Sequence, residues 1–288
     1  MAEPLVAIAL WFALAMVEIP IVTASFGVKK LKELPPDVRT YHVLAILALL
    51  GPASLLAARV MGRSPRRLLA ALGRVRWRWL PVCLGVGLAC HAVQTALGAI
   101  GIAVDRSHFV GWADYLPLLG VVLLIVPLQA LGEELFYRGT LQQTVGSFAR
   151  SPWPGIVIST ALFTVSHGLR PEVDVGIGAV GLCSAWLTIR TGGLEASTGY
   201  HVMLNVTGFA LKAAAGRVKP GINDNVHWIG TAISIAAVVM YTAIIARLSA
   251  KRLATGPDQI EQDPAERGLR VEHADHRGGA EPLPPEQQ

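Results

Sequence analysis

Three short stretches of an otherwise apolar chain carry side chains that could hydrolyse a peptide bond. The first reads Gly132-Glu133-Glu134-Leu135-Phe136-Tyr137-Arg138-Gly139, the second Phe163-Thr164-Val165-Ser166-His167-Gly168, and the third His201-Val202-Met203-Leu204-Asn205. A carboxylate in a poorly solvated site can take a proton from water near neutral pH, which makes Glu133 a candidate general base. Imidazoles and a neutral amide can donate hydrogen bonds to the oxyanion of a tetrahedral intermediate, which brings in His167, His201 and Asn205. One glutamate, two histidines and one asparagine therefore suffice to activate water and stabilise the intermediate. No serine or cysteine nucleophile is needed, and the sequence contains neither GxSxG nor HExxH.

Spacing decides which of these groups can act together. Glu134 and Arg138 are four residues apart, so they share a helix face and can pair. Glu133 is rotated from Glu134 by about 100° and can point elsewhere. One carboxylate is then held by Arg138 while the other faces a cavity. Phe163 and His167 share a face, as do His201 and Asn205. Phe163 is expected to wall the pocket. A structural reading stands beside the catalytic one: Glu134–Arg138 as an intramembrane ion pair, and each histidine as an interhelical hydrogen-bonding group. Glu18 and Glu195 read as interhelical or interfacial groups, and His91, on a helix of small residues, as a structural one.

The elements that must position these residues are membrane helices. The 288 residues are 52% hydrophobic and 16% charged, with a mean hydropathy of +0.48. Soluble domains carry about 25% charged residues. A soluble enzyme, a nucleic-acid binder and a secreted disulfide scaffold are thereby excluded, and an all-α polytopic membrane protein with a polar intramembrane cavity is expected. Its partner is the lipid bilayer, and no nucleic acid is expected despite a pI near 9.3. Cys83, Cys90 and Cys183 are scattered through apolar runs and read as packing residues.

A span needs about 20 mostly apolar residues. Eight are expected in a domain over 1–248: 4–26, 41–61, 79–103, 115–132 leading into a polar helix over 133–148, 153–168, 173–190, 193–213 and 226–248. Pro35-Pro36 separates the first two. Ser151 with Pro152 and Pro154 is expected to open the fifth. Gly192-Gly193 is expected to close the sixth. Ionisable side chains inside spans cost roughly 2.5–3.5 kcal/mol each on insertion scales, so they mark function. The loop 62–78 carries Arg63, Arg66, Arg67, Arg74, Arg76 and Arg78, which by the positive-inside rule predicts an N-in, C-in topology. An Arg-rich, Ala-rich composition fits a bacterial plasma membrane. Residues 249–288 are polar, without apolar period, and are expected to form a disordered cytoplasmic tail.

Taken together and in this order, EELFYRG, FTVSH and HVMLN resemble the CPBP (Abi) family of intramembrane proteases, which includes the type II CAAX prenyl proteases. The family signature is EExxxR, FxxxH and HxxxN. Glu133, Glu134 and Arg138, then Phe163 and His167, then His201 and Asn205 match it without departure. The similarity covers a core of about 115–215. It implies an eight-span helical fold with a conical cavity open to the cytoplasm and the bilayer. It also implies a glutamate-dependent endopeptidase acting on a membrane-associated or lipid-linked peptide. By position, Glu133 would activate water with help from His167. His201 and Asn205 would form the oxyanion site, and Glu134 and Arg138 would orient the site or contact substrate. No cofactor is expected.

Three other functions share these residues. A peptidase of the same fold could hold zinc on Glu133, His167 and His201 and leave a position open for water. A membrane scaffold or immunity-type protein could carry a purely structural polar core. A proton-coupled transporter could use the same groups as a relay, although no inverted repeat is visible. Depth is the open question for His167: a straight, full-length fifth span would carry it to the face opposite Glu133.

Overall fold

The computed structural model describes residues 2–71, 73–101, 109–168, 170–216 and 228–255. Met1–Ala246 forms one compact unit, and Arg247–Gln288 a second. Among the described residues the chain is helical: α1 (Ala2–Ser25), α2 (Pro36–Ala48), α3 (Leu50–Val60), α4 (Leu80–Gly101), α5 (Trp112–Glu134), α6 (Trp153–Val165), α7 (Pro171–Thr191), α8 (Glu195–Ala214) and α9 (Trp228–Thr255). A π-helical stretch, Leu135–Gln142, and one final turn, Gln143–Gly146, prolong α5. An isolated antiparallel bridge joins Ala70 to Gly193. The last helix runs seven residues past the expected boundary at 248, and residues 256–288 of the expected tail lie outside the described residues.

Six stretches are long and apolar enough to cross a bilayer: Ala2–Ser25, Pro36–Val60, Leu80–Gly98, Trp112–Gly146, Pro171–Thr191 and Trp228–Lys251. Many of their large apolar side chains face outward, among them Met16, Leu124 and Ile229. In water such a surface would aggregate; against lipid it is the solvated one. The other two expected spans differ for separate reasons. α6 has 13 residues, and α8 is interrupted by the polar residues of the third motif. An all-helical membrane protein is observed, with six of the eight expected spans meeting the criteria of length and hydropathy.

Without a hydrophobic drive between helices in lipid, close approach comes from small residues. A Cβ on Gly132 would lie 2.9 Å from the carbonyl oxygen of Ala48 and 3.0 Å from that of Leu47. This contact sets the end of α5 against the junction of α2 and α3. A Cβ on Gly199 would lie 2.7 Å from Cys83 Cβ, so α8 packs directly on α4. The boundary residues behave as expected with one shift. Gly192 closes α7 in the left-handed region at φ 71°, whereas Pro152 rather than Ser151 occupies the cap position of α6. Ser151 Oγ accepts from Trp153 N at 3.4 Å.

The N-terminus of α8 is fastened separately. Arg76 donates from its backbone N and Nε to Glu195 Oε1 at 2.8 and 3.2 Å, and from Nη2 to Glu195 Oε2 at 2.7 Å. Its Nη1 donates to Thr191 O at 2.7 Å. Leu194 N donates to Leu69 O and Ala71 N to Gly192 O, both at 2.9 Å. The arginine-rich loop is thus tied to the α7–α8 turn, which fixes where His201 begins its descent.

Candidate functional site

Helix α5 changes its winding just where the chemistry starts. Glu133 and Glu134 end the regular helix, and all eight residues of the π-helical stretch that follows are buried. π-helical turns are rare and gather at functional sites. Arg138, inside this stretch, is fully buried and donates from Nη1 to Glu134 Oε1 at 3.0 Å. Its Nη2 donates to Gly181 O of α7 at 3.3 Å. Its guanidinium carbon lies 4.3 Å from the centre of the Phe163 ring on α6. One side chain therefore joins α5, α6 and α7, and the planar guanidinium suits all three tasks.

His201 of α8 sits between the two carboxylates. Its Nδ1 is 2.9 Å from Glu134 Oε1, and its Nε2 is 3.5 Å from Glu133 Oε2. A carboxylate already paired with arginine can only accept, which assigns the proton to Nδ1. Nε2 is then the nitrogen directed toward Glu133. One turn away on each helix the arrangement repeats: Asn205 Nδ2 donates to Gln129 Oε1 at 3.0 Å. Gln129–Glu133 on α5 and His201–Asn205 on α8 are facing i,i+4 pairs, and Gln129, Glu133 and His201 are at most 3% exposed.

His167 follows the end of α6, in a turn. It folds back so that Nδ1 donates to Phe163 O at 2.7 Å, with its ring 4.5 Å from that of Phe163. Phe163 meets the His201 ring edge-on at 5.8 Å. Both histidines thus have Nδ1 engaged by the protein and Nε2 left over, the pattern by which a protein fixes an imidazole tautomer. Tyr137 donates to Ser166 Oγ at 2.9 Å, and Ser166 in turn donates to Phe163 O at 2.8 Å. The turn carrying His167 is therefore anchored to α5.

The depth of His167 follows from the length of α6. Thirteen residues span about 20 Å, short of the roughly 30 Å of a hydrocarbon core. A helix of this length is too short to cross upright, and His167 follows its end, partly buried on the wall of a cavity. On α8, His201 and Asn205 lie six and ten residues past Glu195, or about 9 and 15 Å along the axis. Ser151, Pro152 and Leu194, just before the two histidine-bearing helices, line one common cavity, and His167 and Asn205 line another.

His167, His201 and Asn205 line one cavity of about 250 Å³, with Phe163 and Tyr200 in its wall and Thr231 and Ser234 of α9 across from them. Glu133 is not a wall residue of this cavity; it reaches it through His201. Glu172, at the start of α7, also lines it and pairs with Arg170 at 3.1 Å. The motif residues are therefore gathered as three helices' polar edges, with Arg138 behind Phe163. A second cavity, of about 570 Å³, is bounded by Arg138 on its other side. Among the described residues no three His, Cys, Asp or Glu side chains are grouped as metal ligands.

Sequence reasoning passed over four contributors. Gln129 was legible as one amide in the run LLIVPLQALG, four residues before Glu133. Tyr137 and Ser166 lie inside the motifs at unspecified positions. Tyr200, buried beside His91 at 4.7 Å, has no local signal. Glu18 and His91 take structural places: Glu18 Oε1 is 2.9 Å from His42 Nδ1, and His91 Nδ1 is 3.0 Å from Gln94 Oε1.

Comparison with known proteins agrees with the resemblance carried by the motifs. Residues 115–207 match the family model described as type II CAAX prenyl endopeptidase Rce1-like. The uncharacterized protein YyaK of Bacillus subtilis is 28% identical over 182 residues, covering 59% of each chain. The chain thus spans about three-fifths of the length of this curated relative. No solved structure matches significantly. The family match contains all three motifs, Gln129 and the whole of α6 and α7.

Proposed function

We propose that this protein is an intramembrane endopeptidase that cleaves a membrane-associated or lipid-linked peptide by a glutamate-activated water. The observation that supports this reading best is His201, held between Glu133 and Glu134 on the wall of the cavity that His167 and Asn205 share. Glu133 draws off the proton of the attacking water by way of His201 Nε2, 3.5 Å from its carboxylate, and His167 Nε2 assists from the far wall. As the carbonyl becomes tetrahedral, the Asn205 amide and the newly protonated His201 Nε2 donate to its oxyanion. Glu134 and Arg138 keep the His201 imidazole in place. Water exclusion by the surrounding lipid and apolar wall strengthens each of these electrostatic contacts. The chemistry is proposed to run without a metal. The Rce1-like match supports a CAAX-type substrate class, whose prenylated tails would enter from the bilayer. N-in, C-in topology is part of the same proposal and rests on the arginines of loop 62–78.

The test is purified protein in lipid bilayers with a fluorogenic, prenylated CAAX peptide and its unprenylated twin. Glu133→Gln preserves shape and removes basicity, so cleavage should fall by a factor of about 10² to 10⁴ with the helical content unchanged. Activity should persist after 1,10-phenanthroline. Wild-type cleavage by the Glu133→Gln protein would refute the base, and inhibition reversed by zinc would replace it with a metal.

A further inference from the structure

The second cavity, on the arginine-rich side of the molecule, has no place in this chemistry. It is bounded by Arg63, Arg67 and Arg150, by Arg138 and Gln142 from the π-helical stretch, and by the α7–α8 turn around Gly193. Three of these arginines come from three different places: the loop after α3, the single turn Arg66–Leu69, and the linker before α6. No acidic side chain is among its wall residues. Arg63 is satisfied by Glu3 at 2.6 Å and Gln143 at 2.9 Å. Arg67 and Arg150 form no ion pair among the described residues.

The buried wall carries a second sign of a missing partner. Arg138 Nε and Gln142 Oε1 are both buried and without a hydrogen-bond partner, though Arg138 is fully buried and Gln142 only 2% exposed. Unpaired buried polar atoms are costly and usually have a ligand or water. Gln142 Nε2 is already committed to Ala185 O at 3.0 Å, which fixes the amide. The donors that an anion with several oxygens needs come from the guanidinium groups of the rim and from the buried Arg138 Nε, while Gln142 Oε1, an acceptor, takes a water or a protonated oxygen.

We propose that this cavity binds the phosphate headgroup of an anionic phospholipid. Phosphate is the shared chemistry; the lipid source is favoured by what surrounds the rim. Phe148 and Trp153, on either side of Arg150 and Ser151, are 69% and 56% exposed. Exposed aromatics beside arginines mark the headgroup level of a bilayer. Ile189, a wall residue, is 49% exposed on the outer face of α7 and gives the acyl chains an apolar track. Anionic headgroups attract each nearby arginine by about 1 kcal/mol. The proposal is independent of the hydrolytic reading, and its readout is lipid binding alone.

The full chain is purified in detergent and titrated with phosphatidylglycerol or phosphatidylcholine, with bound lipid read by native mass spectrometry. Arg67→Gln/Arg150→Gln should weaken phosphatidylglycerol binding roughly 30-fold, as two such contacts are lost. Phosphatidylcholine binding should not change. Arg78→Gln, an exposed arginine outside the cavity, should behave as wild type. Ala71→Glu, which puts an acid on the wall, should remove the preference for phosphatidylglycerol. Equal phosphatidylglycerol affinities in the double variant and in Arg78→Gln would overturn the site. Displacement of the lipid by inorganic phosphate at micromolar concentration would assign it to a soluble anion instead and overturn the lipid.

Discussion

Arg138 is the residue whose removal tests most of the site's architecture at once. Its pairing with Glu134 lies within one helix, so that pair survives when the helices separate in the membrane and adds little to their association. What is lost on separation is tertiary: the 3.3 Å bond to Gly181 O and the stacking over Phe163 at 4.3 Å. Hydrogen bonds between membrane helices are worth about 0.6 to 1.7 kcal/mol, and a desolvated cation–π contact about 2 kcal/mol. Their sum is about 3 kcal/mol. Arg138→Met also strands the Glu134 carboxylate with only His201 beside it, which raises the total toward the 3–5 kcal/mol typical of breaking a buried pair. Arg138→Lys keeps the charge but loses the planar stack and the fork, and should cost about 2 kcal/mol. Glu134→Gln/Arg138→Met should recover about 1–2 kcal/mol relative to Arg138→Met, because it no longer buries an unpaired charge. The assay is reversible unfolding in mixed micelles of rising SDS fraction, followed by tryptophan fluorescence and circular dichroism. The reasoning is refuted if Arg138→Lys is as stable as wild type while Arg138→Met costs under about 1 kcal/mol, since the guanidinium would then bolt nothing together.

Two further outcomes follow from the packing. Gln129→Leu frees the Asn205 amide, so kcat should drop about tenfold with KM little changed, measured with the same fluorogenic peptide; a change in KM alone would instead give Gln129 a role in holding substrate. Gly199→Val forces a side chain into Cys83, and should destabilise by about 1–3 kcal/mol in the SDS assay and separate α4 from α8, whereas Gly120→Ala, whose Cβ meets nothing within 4 Å, should be neutral.

The parts legible in the sequence are those that depend on composition and short-range spacing. Apolar runs of the right length placed α1, α4 and α7 to within a few residues at both ends, and α9 at its start. The four-residue spacing placed Arg138 on Glu134. The Gly192 turn needed only glycine's freedom at positive φ. What the spacing could not carry was winding and tertiary detail. The Leu135–Gln142 stretch looks like ordinary helix in sequence, because a π-turn has no local composition of its own. Gln129 is one amide among hydrophobic residues until α8 brings Asn205 to 3.0 Å. Glu195 reads in the sequence as an interhelical or interfacial acid, and only the fold reveals that Arg76, 119 residues away, holds it by three hydrogen bonds.

The shortness of α6 explains how a histidine from a helix running away from the arginine-rich side can meet groups from helices on either side of it. A full span would deliver His167 to the opposite membrane surface, some 30 Å from where α6 starts. Ending after Val165, the chain turns with Gly168 at φ 109° and re-enters as α7, leaving His167 folded onto Phe163. The carbonyls at the end of α6 find donors in the turn itself: Ser166 N, His167 N and Gly168 N bond Leu162 O, Thr164 O and Val165 O. The carbonyl of Phe163 accepts twice, from Ser166 Oγ at 2.8 Å and from His167 Nδ1 at 2.7 Å. The His167 side chain therefore caps the helix whose length decides its depth. Replacing it with leucine should loosen the end of α6 as well as remove the imidazole proposed to assist the base. Asparagine at 167 can still donate to the Phe163 carbonyl, so it should restore the SDS stability of the helix end but not peptide cleavage. Equal instability of His167→Leu and His167→Asn would show that the bond to Phe163 O does not hold the turn.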